Sequence, residues 1–312
     1  MSRKKLRTKY NVEIIRAKDG FSIAKSKKTE LYGLLNNNTG EIIIPFEYKF
    51  LDADFSKSEL ITAENIDGLY GFINKKNETI IPFHFEYTTN FSNGFAYTSR
   101  FVEENNLGIE YQGVIDEKGN KIFPIEYEEI YIHQKQNCVL VKKESKWGIL
   151  TLKKEQILPL EFEKIEIFGI GNSTLYTCDK NSQIGVFDIY INKFIIPIEL
   201  DDIEESFYLT KGYREYGYFI FTKNKLQSLV RIEHNEILFL TEYIYDFIDH
   251  INSLEDRVRI NQNGLWGISN IEGEIIIPCK YDKVDYPDNG RIKAIKAEKE
   301  YIFNLSGDLI KC

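Results

Sequence analysis

The chain of 312 residues carries 40 Lys and Arg against 48 Asp and Glu, a formal net charge of −8 at pH 7. That acidic balance argues against nucleic acid as a general partner, because phosphate binding needs a basic surface. Hydrophobic content of 43% and charged content of 28% are those of a folded chain with a large core, and 20 Tyr and 21 Phe beside only 7 Pro favour strands.

In chain order, the first element is a basic start, with Arg3, Lys4, Lys5, Arg7 and Lys9. It has no apolar stretch of signal-peptide length, and nothing later reaches the roughly 20 apolar residues of a membrane span. The expectation is a frayed, solvated terminus over 1–9, ahead of a single β domain over 10–312 in a cytoplasmic protein with no membrane partner. Cys138, Cys178, Cys279 and Cys312 lie far apart without C-x-x-C spacing, as reduced thiols do.

From residue 32 onward the chain repeats itself. "YGLLNNNTGEIIIP" sets Gly33 ahead of Pro45, and the same pairing recurs as Gly71 and Pro82, Gly113 and Pro124, Gly148 and Pro159, Gly185 and Pro197, and Gly267 and Pro278. The offset is eleven or twelve residues each time. The long interval between Pro197 and Pro278 holds a degenerate copy, with Ser228 in the Gly slot and Phe239 in the Pro slot. The tail adds an eighth opening, with Tyr301 in the Gly slot and Gly307 matching Gly273. The openings recur about every 38 residues.

Each opening predicts a β-hairpin: two short β-rich runs joined by turn residues such as "NNTG" or "IEG". The Gly marks a close backbone approach and the Pro a strand end that needs no donor. The fold class is therefore all-β, a repeat protein of eight approximately 38-residue units of about four short strands each. It is β-propeller-like, closed or nearly closed, with an open β-solenoid-like array as the alternative. Residues 10–32 resemble the second half of a repeat and 301–312 a first half. Closure predicts one sheet shared by the two ends.

The order aromatic-Gly, short strand, turn, aliphatic-Pro, acidic-Tyr, returning strand resembles the WG-repeat (KWG) family over nearly the whole chain. Trp147-Gly148 and Trp266-Gly267 carry the literal pair, and Tyr32 and Tyr70 substitute for Trp. Gln112 and Ile184 depart further. The resemblance implies a β-repeat platform for interactions, and it carries no catalytic residues over to this chain. The aromatics themselves are read as packing wedges.

Two sets of residues stand out as candidate surfaces. Glu47, Glu86, Glu126, Glu161, Glu199 and Glu242 follow the Pro slots, and in a ring they would form an acidic rim that attracts a basic partner. The long unit between Gly185 and Ser228 gathers Tyr208, Tyr213, Arg214, Tyr216 and Tyr218, side-chain types enriched at binding hot spots. An elongated hairpin with cross-strand aromatic pairs accounts for the same residues. His84, His133, His234 and His250 are isolated, and neither a nucleophile elbow nor a phosphate loop occurs. No cofactor or metal is expected. The functional expectation is a non-catalytic binding or scaffold module for another protein, in a narrower form an immunity-type protein. The alternative is a carbohydrate-active or other hydrolase that uses a carboxylate pair.

Overall fold

The computed structural model describes residues 3–104, 107–169, 173–211, 214–233, 235–250 and 256–312, with backbone alone at 104, 107, 207–211, 214 and 215. Among them, thirty-two strands form eight four-stranded antiparallel sheets, each built from four consecutive strands. Such a meander is the blade unit of a β-propeller. The sheets span residues 12–48, 50–85, 87–127, 129–162, 164–200, 202–239, 247–281 and 283–311. The chain divides into two compact units, residues 1–133 with 137–160 and residues 134–136 with 161–312.

Burial explains the residue pattern of each strand. The second and third strands of a sheet are covered on both faces, so Cys138–Lys143 opens with four buried residues in a row. The fourth strand is an edge, and Ile42–Tyr48 buries only Ile44 and Tyr48. Pro45 sits in this edge strand, where its missing N–H costs no interior ladder bond. Core clusters join neighbouring sheets within each unit. Ile23, Leu34, Ile44 and Tyr48 of the first sheet pack on Leu51, Ile61 and Ile73 of the second. In the other unit Val186 and Leu200 of the fifth sheet pack on Phe219, Phe221 and Val230 of the sixth.

The repeated Gly and Pro mark a single backbone device. Tyr32 pairs with Tyr48 but Leu34 with Ile44, so residues 45–47 bulge opposite Gly33 alone. The same break recurs opposite Gly71, Gly113, Gly185 and Gly267. A Cβ on Gly33 would lie 2.7 Å from the Ile44 carbonyl oxygen, and one on Gly267 would lie 2.5 Å from that of Ile277. Where Ser228 replaces Gly, the break is wider: Val230 pairs with Phe239 but Gln227 bridges Tyr245, so residues 240–244 stand opposite Ser228 and Leu229. There the Ser228 hydroxyl donates to the Thr241 carbonyl at 2.6 Å instead.

Two expectations are corrected. The chain ends do not complete one shared sheet: Val12–Lys18 and Phe21–Ser26 pair within the first sheet, and Lys299–Asn304 and Leu309–Lys311 within the eighth. Eight whole repeats run end to end because each hairpin pairs with its chain neighbours, which carries the smallest loop-closure cost. The basic start is not a frayed terminus but helix α1 (Arg3–Tyr10). Leu6 is fully buried against Val12, Ala24 and Leu35, and the Tyr10 hydroxyl donates to the Gly40 carbonyl at 2.6 Å. One apolar residue facing the sheet anchors a helix whose other side chains are largely solvated. No helix among the described residues is long and apolar enough to cross a membrane.

Candidate functional site

The tyrosine-rich segment is an extension of the sixth sheet, a hairpin of two ten-residue strands, Asp202–Lys211 and Arg214–Lys223. Tyr208 pairs with Gly217 and Lys211 with Arg214 along the backbone. Tyr213 and the side chains of Tyr208 and Arg214 lie outside the described residues. Tyr218 is corrected outright as a partner contact, because it is 1% exposed inside the core between the sixth and seventh sheets. Its burial raises its pKa, opposed by a hydrogen bond with Arg231, whose guanidinium in turn pairs with Glu272 at 2.8 Å. Tyr216 is half-buried and stacks edge-on against Tyr218, with 5.9 Å between ring centroids.

The acidic positions do not form one free rim, and they fall into separate rows. Glu126, Glu161 and Glu199 reach the sheet that follows their own, pairing with Lys143 at 3.1 Å, Lys180 at 2.8 Å and Lys223 at 2.7 Å. Glu47 of the same row accepts a hydrogen bond from the Asn77 amide at 2.7 Å. Glu86 belongs to a second row, because Phe85, not His84, is the buried residue matching Tyr48 and Tyr127. It accepts from the Phe101 N–H at 2.5 Å. Glu242 is exposed and off both rows.

Sequence reasoning missed the job of that second row. Glu128, Glu163, Asp201, Asp246 and Asp282 each accept a backbone N–H from the tight turn joining the second and third strands of the next sheet. Those turns hold paired positive φ values, such as 53° and 60° at Glu144 and Ser145 and 52° and 60° at Asn181 and Ser182. Two-residue hairpins need this conformation, and the carboxylate satisfies a donor that the turn leaves free. The regular spacing of an acid four residues past Pro124, Pro159, Pro197 and Pro278 was the available signal.

The aromatic-Gly position has a further consequence. It lies in a row that crosses the sheet in register, as in Phe50–Glu64–Tyr70–Phe85 of the second sheet and Glu129–Lys142–Trp147 of the fourth. Tyr32, Tyr70, Trp147 and Trp266 are half-buried and lie over the polar residue in the middle of the row or against an aromatic beside it. Tyr70 meets Phe50 at 6.1 Å and Tyr87 at 5.7 Å, Trp147 stacks on Tyr131 at 6.0 Å, and Lys142 sits 5.6 Å over Trp147. Burial, with Glu64 adding to it, pushes the Tyr70 hydroxyl up to about 12. Tyr32, Tyr70 and Trp266 act as wedges against the sheet that follows their own, and Trp147 packs on residues of its own sheet.

Four sheets lack the wedge, with Gln112, Ile184, Gln227 and Glu300 in the slot, and a cleft lies at each of the first two. The third sheet has Gln112 in the slot, in the row Tyr87–Ser99–Gln112–Tyr127. Here a cavity of about 280 Å³ is lined by Tyr87, Tyr97, Ser99, Glu110, Gln112 and Tyr131. The fifth sheet has Ile184, in the row Lys164–Asp179–Ile184–Leu200. Its cleft, about 400 Å³, presents Lys164, Glu166, Thr177, Asp179, Asp202 and Glu205. Each cleft lies inside one of the two units.

The fifth-sheet cleft is strongly acidic. Its ammonium, on Lys164, is already paired with Glu166 at 2.8 Å. Asp179 has its pKa raised, first by desolvation and then by Glu166 and Glu163, against a lowering contribution from Lys164. No group of three or more His, Cys, Asp or Glu side chains among the described residues is arranged to hold a metal ion. The four cysteines are free thiols. Cys178 is buried and pushed up to about 12, which leaves it unreactive.

The fold and these clefts define a β-repeat protein built of blade-like four-stranded sheets. The model of the WG containing repeat matches four segments, residues 32–65, 70–99, 113–147 and 266–299, and the chain is similar to that repeat there. No curated protein matches the chain. Among solved structures it is similar to a eukaryotic initiation factor at 9% identity and a TM-score of 0.35, over 95% of this chain and 96% of that one. It is also similar to the dihydro-heme d1 dehydrogenase NirN at 8% identity and a TM-score of 0.31, over 96% of this chain and 74% of that one. AztD from Citrobacter koseri matches at 10% identity and a TM-score of 0.28, over 90% of both chains.

Proposed function

We propose that this chain is a non-catalytic scaffold that holds a basic segment of another protein in the cytoplasm. The observation that supports the reading is the fifth-sheet cleft, where Glu166, Asp179, Asp202 and Glu205 surround what is, among the described residues, a single lysine already engaged by Glu166. A chain of net charge −8 steers cationic partners toward itself, and a concave acidic surface concentrates that field. In the narrower form of the reading, the partner is a toxin whose basic face the cleft covers, and the chain is its immunity protein.

The test is an Asp202→Asn, Glu205→Gln variant, which alters two exposed carboxylates and no core residue. Binding of a fluorescent oligolysine peptide is measured by anisotropy at low and at physiological salt. The expected outcome is at least ~10-fold weaker binding by the variant at low salt, with unchanged melting temperature and a gap that narrows as salt screens the charges. Equal binding by both proteins would remove the cleft from the reading.

Asp179 favours a second reading, a hydrolase with a carboxylate pair. A carboxyl group whose pKa is raised by burial, with a second carboxyl group, Glu166, in the same cleft, is the pairing of a general acid with its base. Turnover of an aryl glycoside that disappears in Asp179→Asn would favour this reading over the scaffold.

A further inference from the structure

The third-sheet cleft differs in chemistry from the acidic one, and it contains a group that the fold itself does not satisfy. Ser99 is 2% exposed, and its hydroxyl has no hydrogen-bond partner among the described residues. An unpaired buried hydroxyl is costly, and native structures rarely keep one without a use. Register fixes its direction. Ser99 pairs with Tyr87 on one side and Gln112 on the other, so all three side chains share one face of the sheet. Tyr97 and Glu110, each two residues away along their strands, lie on that face as well.

This face turns toward the fourth sheet. Tyr97 packs with Ile130 and Ile132, and its hydroxyl accepts the Ile132 N–H at 2.9 Å across the gap. Tyr87 stays 49% exposed and Tyr131 47% exposed, so the mouth of the cavity is open. Tyr131 is held at the rim by its stacking on Trp147 and by its hydrogen bond to Glu129 at 2.9 Å.

We infer that this cleft binds a primary ammonium group carried on an alkyl chain. Three acceptors are on the same face: the Glu110 carboxylate, the Ser99 hydroxyl oxygen and the Gln112 amide oxygen. A primary ammonium has three donors and no acceptor, which matches that set. Tyrosine faces add attraction for a cation and apolar area for its methylenes. Among the described residues the lining holds no Lys or Arg to compete for the carboxylate, and a phosphate or carboxylate ligand would face Glu110 unpaired. A quaternary ammonium would leave Ser99 and Gln112 unsatisfied. The slot exists because Gln112 stands where four other sheets carry Tyr or Trp.

The experiment titrates the full chain with n-butylammonium chloride by calorimetry, with n-butanol and glucose as uncharged probes. Saturable binding of n-butylammonium alone is the expected result. Gln112→Trp puts in the slot the indole that Trp147 and Trp266 carry in their own sheets, and it is expected to abolish binding while the melting temperature holds or rises. Glu110→Gln keeps the shape and removes the charge, and binding should weaken at least ~10-fold, the loss of one charge-assisted hydrogen bond. Nα-acetyl-lysine methylamide identifies the source: binding at least ~10-fold tighter than n-butylammonium points to a lysine side chain on a polypeptide, and equal binding to a free amine. Equal binding of butanol or glucose, or binding that survives Gln112→Trp, overturns the inference. If Gln112→Trp fails to fold, Glu110→Gln carries the same decision. The residues lie in a different unit from the acidic cleft, so failure here leaves that reading standing, and the converse also holds.

Discussion

At the scale of single residues, the glycine of the repeat is a steric necessity. Gly267 has an ordinary φ, so its need for glycine comes from crowding: an added Cβ would sit 2.5 Å from one backbone oxygen and 2.8 Å from the Cys279 nitrogen. Backbone atoms cannot move aside as a flexible side chain can. Gly267→Ala is therefore expected to cost about 1–3 kcal/mol, the usual penalty for overpacking, read as a lower denaturation midpoint in urea. Ser228 shows the same rule from the other side: between the Gln227–Tyr245 bridge and the Val230–Phe239 pair the break widens to residues 240–244, and a side chain is accommodated there. The ion pair of Lys223 and Glu199 is half-exposed, and pairs of that kind contribute ~0–1 kcal/mol. Between these two repeated features, the glycine contributes more to stability.

At the scale of elements, two features lie outside the repeat logic. Helix α1 reads from sequence as a run of basic residues, yet a single leucine commits it to the first sheet. Leu6 has no exposed surface. Leu6→Ala should destabilise by about 2–5 kcal/mol, as fully buried leucines do, whereas a solvated terminus would show no change in thermal melting. The second feature is the elongated hairpin over 202–223. Sequence marked it as an extra length of chain, and its paired strands show where that length goes. The burial of Tyr218 follows from alternation along Arg214–Lys223, which turns Tyr218 and Ile220 toward the seventh sheet.

At the scale of the whole molecule, each unit is a stack of sheets whose faces are covered by their chain neighbours. The eighth sheet shows what this implies at the end of such a stack. Ile292 and Ala294 in its second strand are fully buried, and Phe303 of its third strand packs with them and with Ile277 of the seventh sheet. Deleting residues 299–312 uncovers that apolar surface and a bare strand edge, the two features that promote association. The truncated protein is expected to bind a hydrophobic dye, to elute as larger species in size-exclusion chromatography and to melt at a lower temperature. A monomeric product with the original melting temperature would show that the last two strands contribute nothing to the stack.

Much of this was legible in the chain itself. Spacing determined the number of units, the hairpin at each opening and the places of Gly and Pro, because a bulge that admits only Gly and an edge strand that admits Pro leave those residues at fixed intervals. The departures at Gln112 and Ile184 were visible too, but a sequence does not say whether a missing wedge is refilled by a neighbour or left open. That depends on which side chains share a face and on what the next sheet presents across the gap. Only the tertiary structure settled that Ser99 stands without a partner among the described residues, that Asp179 shares a cleft with Glu166, and that Glu126, Glu161 and Glu199 pair with lysines of the following sheet. Local periodicity is set by backbone sterics within one repeat, whereas the clefts are set by packing between repeats, which no single repeat encodes.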